Sequence, residues 1–182
     1  MRNLIMTSVF LFFAASAASA QTPPESAPVE RLPSSGGEVV IPTPRWRQIY
    51  DTVGFAPARR MGDTIYVSGV IVSRRPGEAN DAAGFEAQVR LAFEQMDRTL
   101  KAAGATFNDV GMINSYHVWE GPNFSGTADD QIAIINKVKS EFITGPHPAW
   151  TAVGTAGLLG TQGVVEIQLI AHAAVAGAIE GQ

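Results

Sequence analysis

Residues 164–173, VVEIQLIAHA, limit what this chain can fold into. Successive side chains of an extended strand point to opposite faces. Val165, Ile167, Leu169 and Ala171 therefore share one face, and Val164, Glu166, Gln168, Ile170 and His172 share the other. The first face needs an apolar cover, which a packed layer of helices supplies. The second is half polar, so it meets either solvent or another subunit.

The cover is legible upstream. Phe85, Val89, Phe93, Met96 and Leu100 recur at helical spacing within residues 81–103, and Gly104 follows as the expected left-handed cap. Ile132, Ile135, Val138 and Phe142 form a second stripe, opened by Thr127 with Asp130 three residues on and stopped by Gly145-Pro146. Both stripes read as core, not as a cofactor box. Strands are expected at Thr64–Val72, Met112–Trp119, around Ala149–Thr155 and at Val164–Ala174. The order β-α-β-α-β-β predicts a single α/β (α+β) domain, with one sheet carrying two helices on one face.

The N-terminal residues belong to targeting and spacing. Arg2, the apolar run Leu4–Ala15 and the small-x-small triplet Ala18-Ser19-Ala20 form a signal-peptide pattern over 1–20, with Gln21 the expected mature N-terminus. The apolar run is shorter than the ~20 residues a bilayer span needs. The expectation is an exported protein, periplasmic or secreted, with no membrane attachment after cleavage. Residues 21–45 carry six prolines and Ser34-Ser35-Gly36-Gly37, which reads as a linker with at most a short edge strand at Val39–Ile41. The folded domain is expected over 46–176, with a tail at 177–182.

Several chemistries are excluded. The chain has no Cys, which removes disulfides, thiolate metal sites and a Cys nucleophile. A formal charge of −4 argues against nucleic acid as a partner. No glycine run has phosphate-loop spacing, and His117, His147 and His172 lack metal-site spacing, so neither cofactor nor metal is expected. Ser68 lacks the strained elbow of a nucleophile. Glu166 is the one candidate acid–base group. It is a solvated surface carboxylate if its face stays open, and a general acid or base if a neighbouring subunit buries it.

Five segments in the right order carry a resemblance: FAPARRMGDTIYVSGVI (55–71), Lys101-Ala102-Ala103-Gly104-Ala105 with Asn108-Asp109-Val110, INKVKSEF (135–142), Pro148-Ala149, and VVEIQLIA (164–171). Together they resemble the YjgF/RidA family over roughly 55–172. The resemblance implies a chorismate-mutase-like fold and a homotrimer with small-molecule clefts between subunits. It also implies a water-positioning role for Glu166, and ligand contacts from Phe55, Ser68, Gly69, Asn136, Trp150 and Thr151. In imine-hydrolysing members an Arg after Pro-Ala grips the substrate carboxylate, and here that position is Trp150. Phe55 replaces a Tyr and Val70 a Gln, so three polar contacts become apolar.

The leading reading is an exported family member that binds an uncharged or aromatic small molecule, with hydrolysis of an enamine or imine by Glu166 left open. One alternative is a conventional 2-imino acid deaminase whose cation comes from Arg59, Arg60, Arg74 or Arg75, or from His147 when protonated. Another is a non-catalytic trimeric binding or holdase module in which Trp150 fills the space of the lost Arg. RNA cleavage is the least favoured, because residues 140–182 contain no Lys or Arg.

Overall fold

The computed structural model describes residues 28–174. The signal-peptide reading of 1–20, the first part of the linker and the tail at 177–182 lie outside the described residues. Seven strands form one mixed sheet: β1 (Glu30–Ser34), β2 (Gly37–Ile41), β3 (Ala58–Met61), β4 (Thr64–Ser73), β5 (Val110–His117), β6 (Ala149–Gly154) and β7 (Gly163–His172). Their spatial order is β1-β2-β3-β4-β7-β5-β6, with only the β5–β6 pair parallel. The strand read first in the sequence is thus central, hydrogen-bonded to β4 on one side and β5 on the other. Its alternation holds from Val165 onward: Val165, Ile167 and Leu169 are fully buried and Ala171 nearly so, while Glu166, Gln168 and Ile170 are half-exposed and His172 is exposed. Val164, expected on the open face, is buried instead, because the register shift opposite Val72 and Ser73 leaves it as the extra residue of a bulge.

Two helices pack on the buried face, α2 (Ala82–Ala102) and α3 (Ala128–Phe142). α2 buries Phe85, Val89, Phe93, Met96 and Leu100, the expected stripe. The Asp81 carboxylate caps its first turn by accepting the Gly84 N–H at 2.8 Å. Gly104 takes φ +78° beyond its end, a conformation that costs glycine nothing. The last carbonyls of α2 receive two guanidiniums. Arg60, itself buried, donates to Ala103 O at 3.0 and 3.2 Å, and Arg31 donates to Ala102 O at 2.6 Å. Cations there complement the negative end of the helix dipole. At the start of α3, Thr127 and Asp130 form the expected capping box. In the α3 stripe Ile135 and Val138 are fully buried, whereas Ile132 and Phe142 are half-buried. Phe93, Phe107 and Phe142 close the space between the helices, with ring centroids 5.3–5.4 Å apart.

The linker expected over 21–45 is corrected for residues 30–41. They form the β1–β2 hairpin, which extends the sheet through β3. A third helix follows, α1 (Pro44–Val53), so the domain carries three helices instead of two. The prolines that suggested a spacer occupy positions where proline is tolerated. Pro33 sits in the edge strand, where no second neighbour needs its missing N–H. Pro44 opens α1 behind Thr43, whose hydroxyl accepts the Trp46 N–H at 3.3 Å. The short apolar run is what anchors the segment, since Val40 is fully buried and Ile41 is 1 % exposed.

Ile41→Ala is expected to destabilise the full-length protein by about 2–5 kcal/mol, the usual loss for a buried aliphatic side chain. A true linker position would show no change in the urea midpoint.

Candidate functional site

Glu166 lies on the sheet face that the helices leave open. Paired neighbours in the register place Ile71 and Tyr116 beside it. Its carboxylate reaches into a cleft of about 420 Å³ lined by Gly69, Tyr116, Thr155, Leu158, Leu159 and Gln168. No hydrogen bond or ion pair to another described residue engages that carboxylate. Its position depends on Gly69. A Cβ added at residue 69 would lie 2.0 Å from Glu166 Oε1, so only glycine lets the carboxylate lie across β4 here. The register of β4 against β7 shifts between Val67 and Val70, which sets Gly69 at an irregularity of the strand.

Gly69 also touches a second cavity, of about 590 Å³, on the β3 side of β4. The last β3 pairing is Ala58 with Val67, and the Ser68 N–H then donates to Pro57 O at 3.0 Å. From Gly69 onward no strand pairs with that edge of β4. α1 and the segment after it fill part of the gap, bringing Trp46 and Phe55 together edge to face with centroids 6.0 Å apart. Phe55, expected at the site, lines this cavity and is 37 % exposed. Ser68 does not reach the cavity with its hydroxyl, which donates to Ala56 O at 2.6 Å and holds the loop carrying Phe55.

Trp150 lies elsewhere. Its register partner Ile113 is buried under the helices, and Trp150 shares that face, opposite to Glu166. The indole N–H donates to Ser115 Oγ at 2.8 Å. Ser115 Oγ lies 2.8 Å from His117 Nε2, and His117 Nδ1 lies 3.0 Å from Gln131 Oε1, whose amide donates to Val118 O at 3.0 Å. A neutral His117 protonated on Nδ1 satisfies every member: it donates to Gln131 and accepts from Ser115. Burial keeps the imidazole neutral by pushing its pKa below the ordinary value. Lys139 covers the Trp150 ring with Nζ 4.8 Å from the centroid, and burial lowers its pKa as well. These residues form a closed polar network under α3, invisible in the sequence because Gln131 and Lys139 stand on helix positions that read as surface.

Of the remaining expected residues, Asn136 is exposed on α3, and Thr151 is exposed on β6 beside Asn114. A single chain therefore brings together Glu166 with Gly69, and Phe55 with Gly69, but not Asn136, Trp150 or Thr151. The four arginines considered as displaced cations are engaged away from Glu166. Arg59 donates to Ser34, Arg60 to Ala103, Gly62 and Ala173 carbonyls, Arg74 to Glu78 O, and Arg75 pairs with Glu78. Sequence reasoning missed Arg45, Trp46 and Arg98, all of which line the 590 Å³ cavity. The Thr43-Pro44 pair, an N-cap followed by proline, was the available signal for α1.

The Endoribonuclease L-PSP family model matches residues 47–173. The chain belongs to this family, the YjgF/RidA family. It is 38 % identical over 134 residues to the RutC family protein YjgH of Escherichia coli K12, covering 73 % of this chain and 92 % of that protein. The solved structure of a protein named YJGH superposes with TM-score 0.54 at 34 % identity, covering 70 % of this chain and 89 % of the other. RidA from the Antarctic bacterium Psychrobacter sp. gives TM-score 0.51 at 30 % identity, covering 65 % and 88 %. YjgF/RidA membership supports a small-molecule-binding or imine-deaminase-like role.

Two outcomes follow from the helix-side network. Trp150→Arg places a guanidinium beside the Lys139 ammonium and removes the bond to Ser115. It is expected to lower the melting temperature without creating imine hydrolysis, checked by thermal unfolding and a turnover assay with a freshly generated 2-imino acid. The folded state binds the His117 proton only below the ordinary pKa of 6.5, whereas the unfolded chain binds it at that value. Stability should therefore fall as pH drops below 6.5, by at most about 1.4 kcal/mol per pH unit. Urea midpoints between pH 8 and 5.5 check this, and His117→Gln should flatten the profile.

Proposed function

We propose that this YjgF/RidA protein is exported and acts as a homotrimeric enamine/imine hydrolase on an uncharged or aromatic small molecule, with Glu166 as the group that activates water. The observation that carries the reading is the unengaged Glu166 carboxylate, held over Gly69 in a cleft on the open face of the sheet. That face also exposes Tyr66, Tyr116 and Val153, at 45 %, 40 % and 46 %. Apolar side chains grouped around a carboxylate favour cover by a second copy of the chain, which would exclude water from the cleft and strengthen each electrostatic contact within it.

The chemistry needs one base and one water. Glu166 accepts a proton from the water as its oxygen attacks the imine carbon, and the imine nitrogen takes up a proton as the C=N double bond becomes single. The resulting carbinolamine loses ammonia and leaves the carbonyl product, so imine plus water gives carbonyl plus ammonia. Phe55 and Val70 at the neighbouring cavity offer apolar surface in place of hydrogen bonds, which supports an aromatic or uncharged body for the substrate. A purely binding trimer is the second reading, favoured by the closed packing of Trp150 under Lys139.

Glu166→Gln decides between them. Loss of a positioned general base is expected to slow hydrolysis of aromatic imines by about 10²–10⁴-fold, with ligand affinity and sedimentation unchanged. A parent and a variant that both fail to hydrolyse any imine would leave the binding trimer as the function, and a variant as active as the parent would remove Glu166 from the chemistry. Sedimentation of the parent as a trimer, and recovery of the chain from Gln21 in the exported fraction, test assembly and location.

A further inference from the structure

Hydrolysis of an imine moves two protons, one off the attacking water and one onto the nitrogen. Glu166 as the base takes the first and so cannot supply the second. Few groups around it carry a proton that can move. In the cleft of about 420 Å³, Gly69, Gly157, Leu158 and Leu159 have none on their side chains. The Thr155 hydroxyl is engaged with Gly157 O, to which it donates at 3.1 Å. The Gln168 amide can donate a hydrogen bond but does not part with a proton. Among the described residues lining the cleft, that leaves the Tyr116 phenol, a side chain able to act as a general acid.

The sheet places this phenol against the carboxylate. Tyr116 is the register partner of Glu166 across the β5–β7 pairing, so the two side chains leave the open face side by side. The Glu166 carboxylate lies over Gly69 of β4, on the far side of β7 from Tyr116. The cleft thus has a base on its β4 side and a phenol on its β5 side. Tyr116 is exposed, and no other described residue engages its hydroxyl.

We infer that Tyr116 is the general acid of the site. The inference rests on the proposed function and adds a second catalytic residue to it. Glu166 takes a proton from water as the water oxygen bonds to the imine carbon. The π pair of the C=N bond moves to nitrogen, which takes the Tyr116 proton. A carbinolamine now faces a protonated Glu166 and a tyrosinate. Glu166 returns its proton to the nitrogen, the C–N bond breaks to release ammonia, and the tyrosinate takes the hydroxyl proton as the carbonyl forms. Both residues regain their starting state. The pair carries one negative charge throughout, so no net charge builds up on it in a cleft closed from water.

Turnover of a freshly generated aromatic imine by the full-length protein, followed across pH, tests it. Tyr116→Phe keeps the ring and removes a hydroxyl that has no partner, so its urea midpoint and sedimentation should match the parent. Its kcat should fall about 10²–10⁴-fold with KM unchanged. The parent should lose rate on the alkaline side as the acid loses its proton, and Tyr116→Phe should lack that limb. Difluorotyrosine at position 116 is a stronger acid of nearly the same shape, and the limb should move to lower pH. An active parent, slowed by Glu166→Gln but unchanged by Tyr116→Phe in rate and alkaline limb, overturns the inference and leaves the proposed function standing. A raised KM with unchanged kcat makes Tyr116 a binding wall and overturns it too. A parent that hydrolyses no imine overturns the proposed function and the inference with it.

Discussion

The structure depends on the one-sided burial of β7. This strand sits between β4 and β5, and its apolar residues Val165, Ile167 and Leu169 lie fully buried beneath the helix layer. Burial of that kind fixes register, since a slip of one residue would carry Glu166 and Gln168 into the core. With the register set, every other feature of the open face follows. Tyr116, Ile71 and Glu166 fall into one row across three strands, and an acidic group stands among apolar neighbours with no hydrogen-bond or ion-pair partner among the described residues. The helices α2 and α3 cannot supply that partner, because they occupy the other side of the sheet.

The irregularity at Ser68-Gly69 connects the sheet to the chemistry. A regular β4 with any side chain at 69 would collide with Glu166, and a longer β3 would occupy the edge along which the larger cavity opens. The same short stretch thus seats the carboxylate, ends the pairing with β3 and anchors the Phe55 loop through Ser68. Glycine at 69 is required by close approach and not by backbone angle, which separates it from Gly104, whose positive φ ends a helix.

The central elements were legible because each had a pattern with its own period or cap. The α2 stripe, the Thr127–Asp130 box and the alternation of β7 all correspond to observed elements. The N-terminal hairpin was legible only as the short strand at Val39–Ile41, because proline content outweighed the rest of the segment, and composition says nothing of which prolines sit at tolerated positions. The site was legible only in part. Glu166, Gly69 and Phe55 lie where their neighbours in sequence place them, whereas the residues that complete the larger cavity come from α1 and α2, brought together by packing alone. Arg45 and Arg98 are 53 positions apart, and no local pattern marks them as companions.

Trp150 shows the limit of reading a position by the residue it replaces. Viewed as a lost arginine, it implies a pocket emptied of charge. In the fold it faces the core side of β6 and completes a polar chain running from its indole through Ser115 and His117 to Gln131, capped by Lys139. A buried histidine and a buried lysine tolerate one another only where hydrogen bonds and a ring face take up their polarity, because unsatisfied groups in this setting cost several kcal/mol. Trp150 provides both, a donor for Ser115 and a π-face for the ammonium.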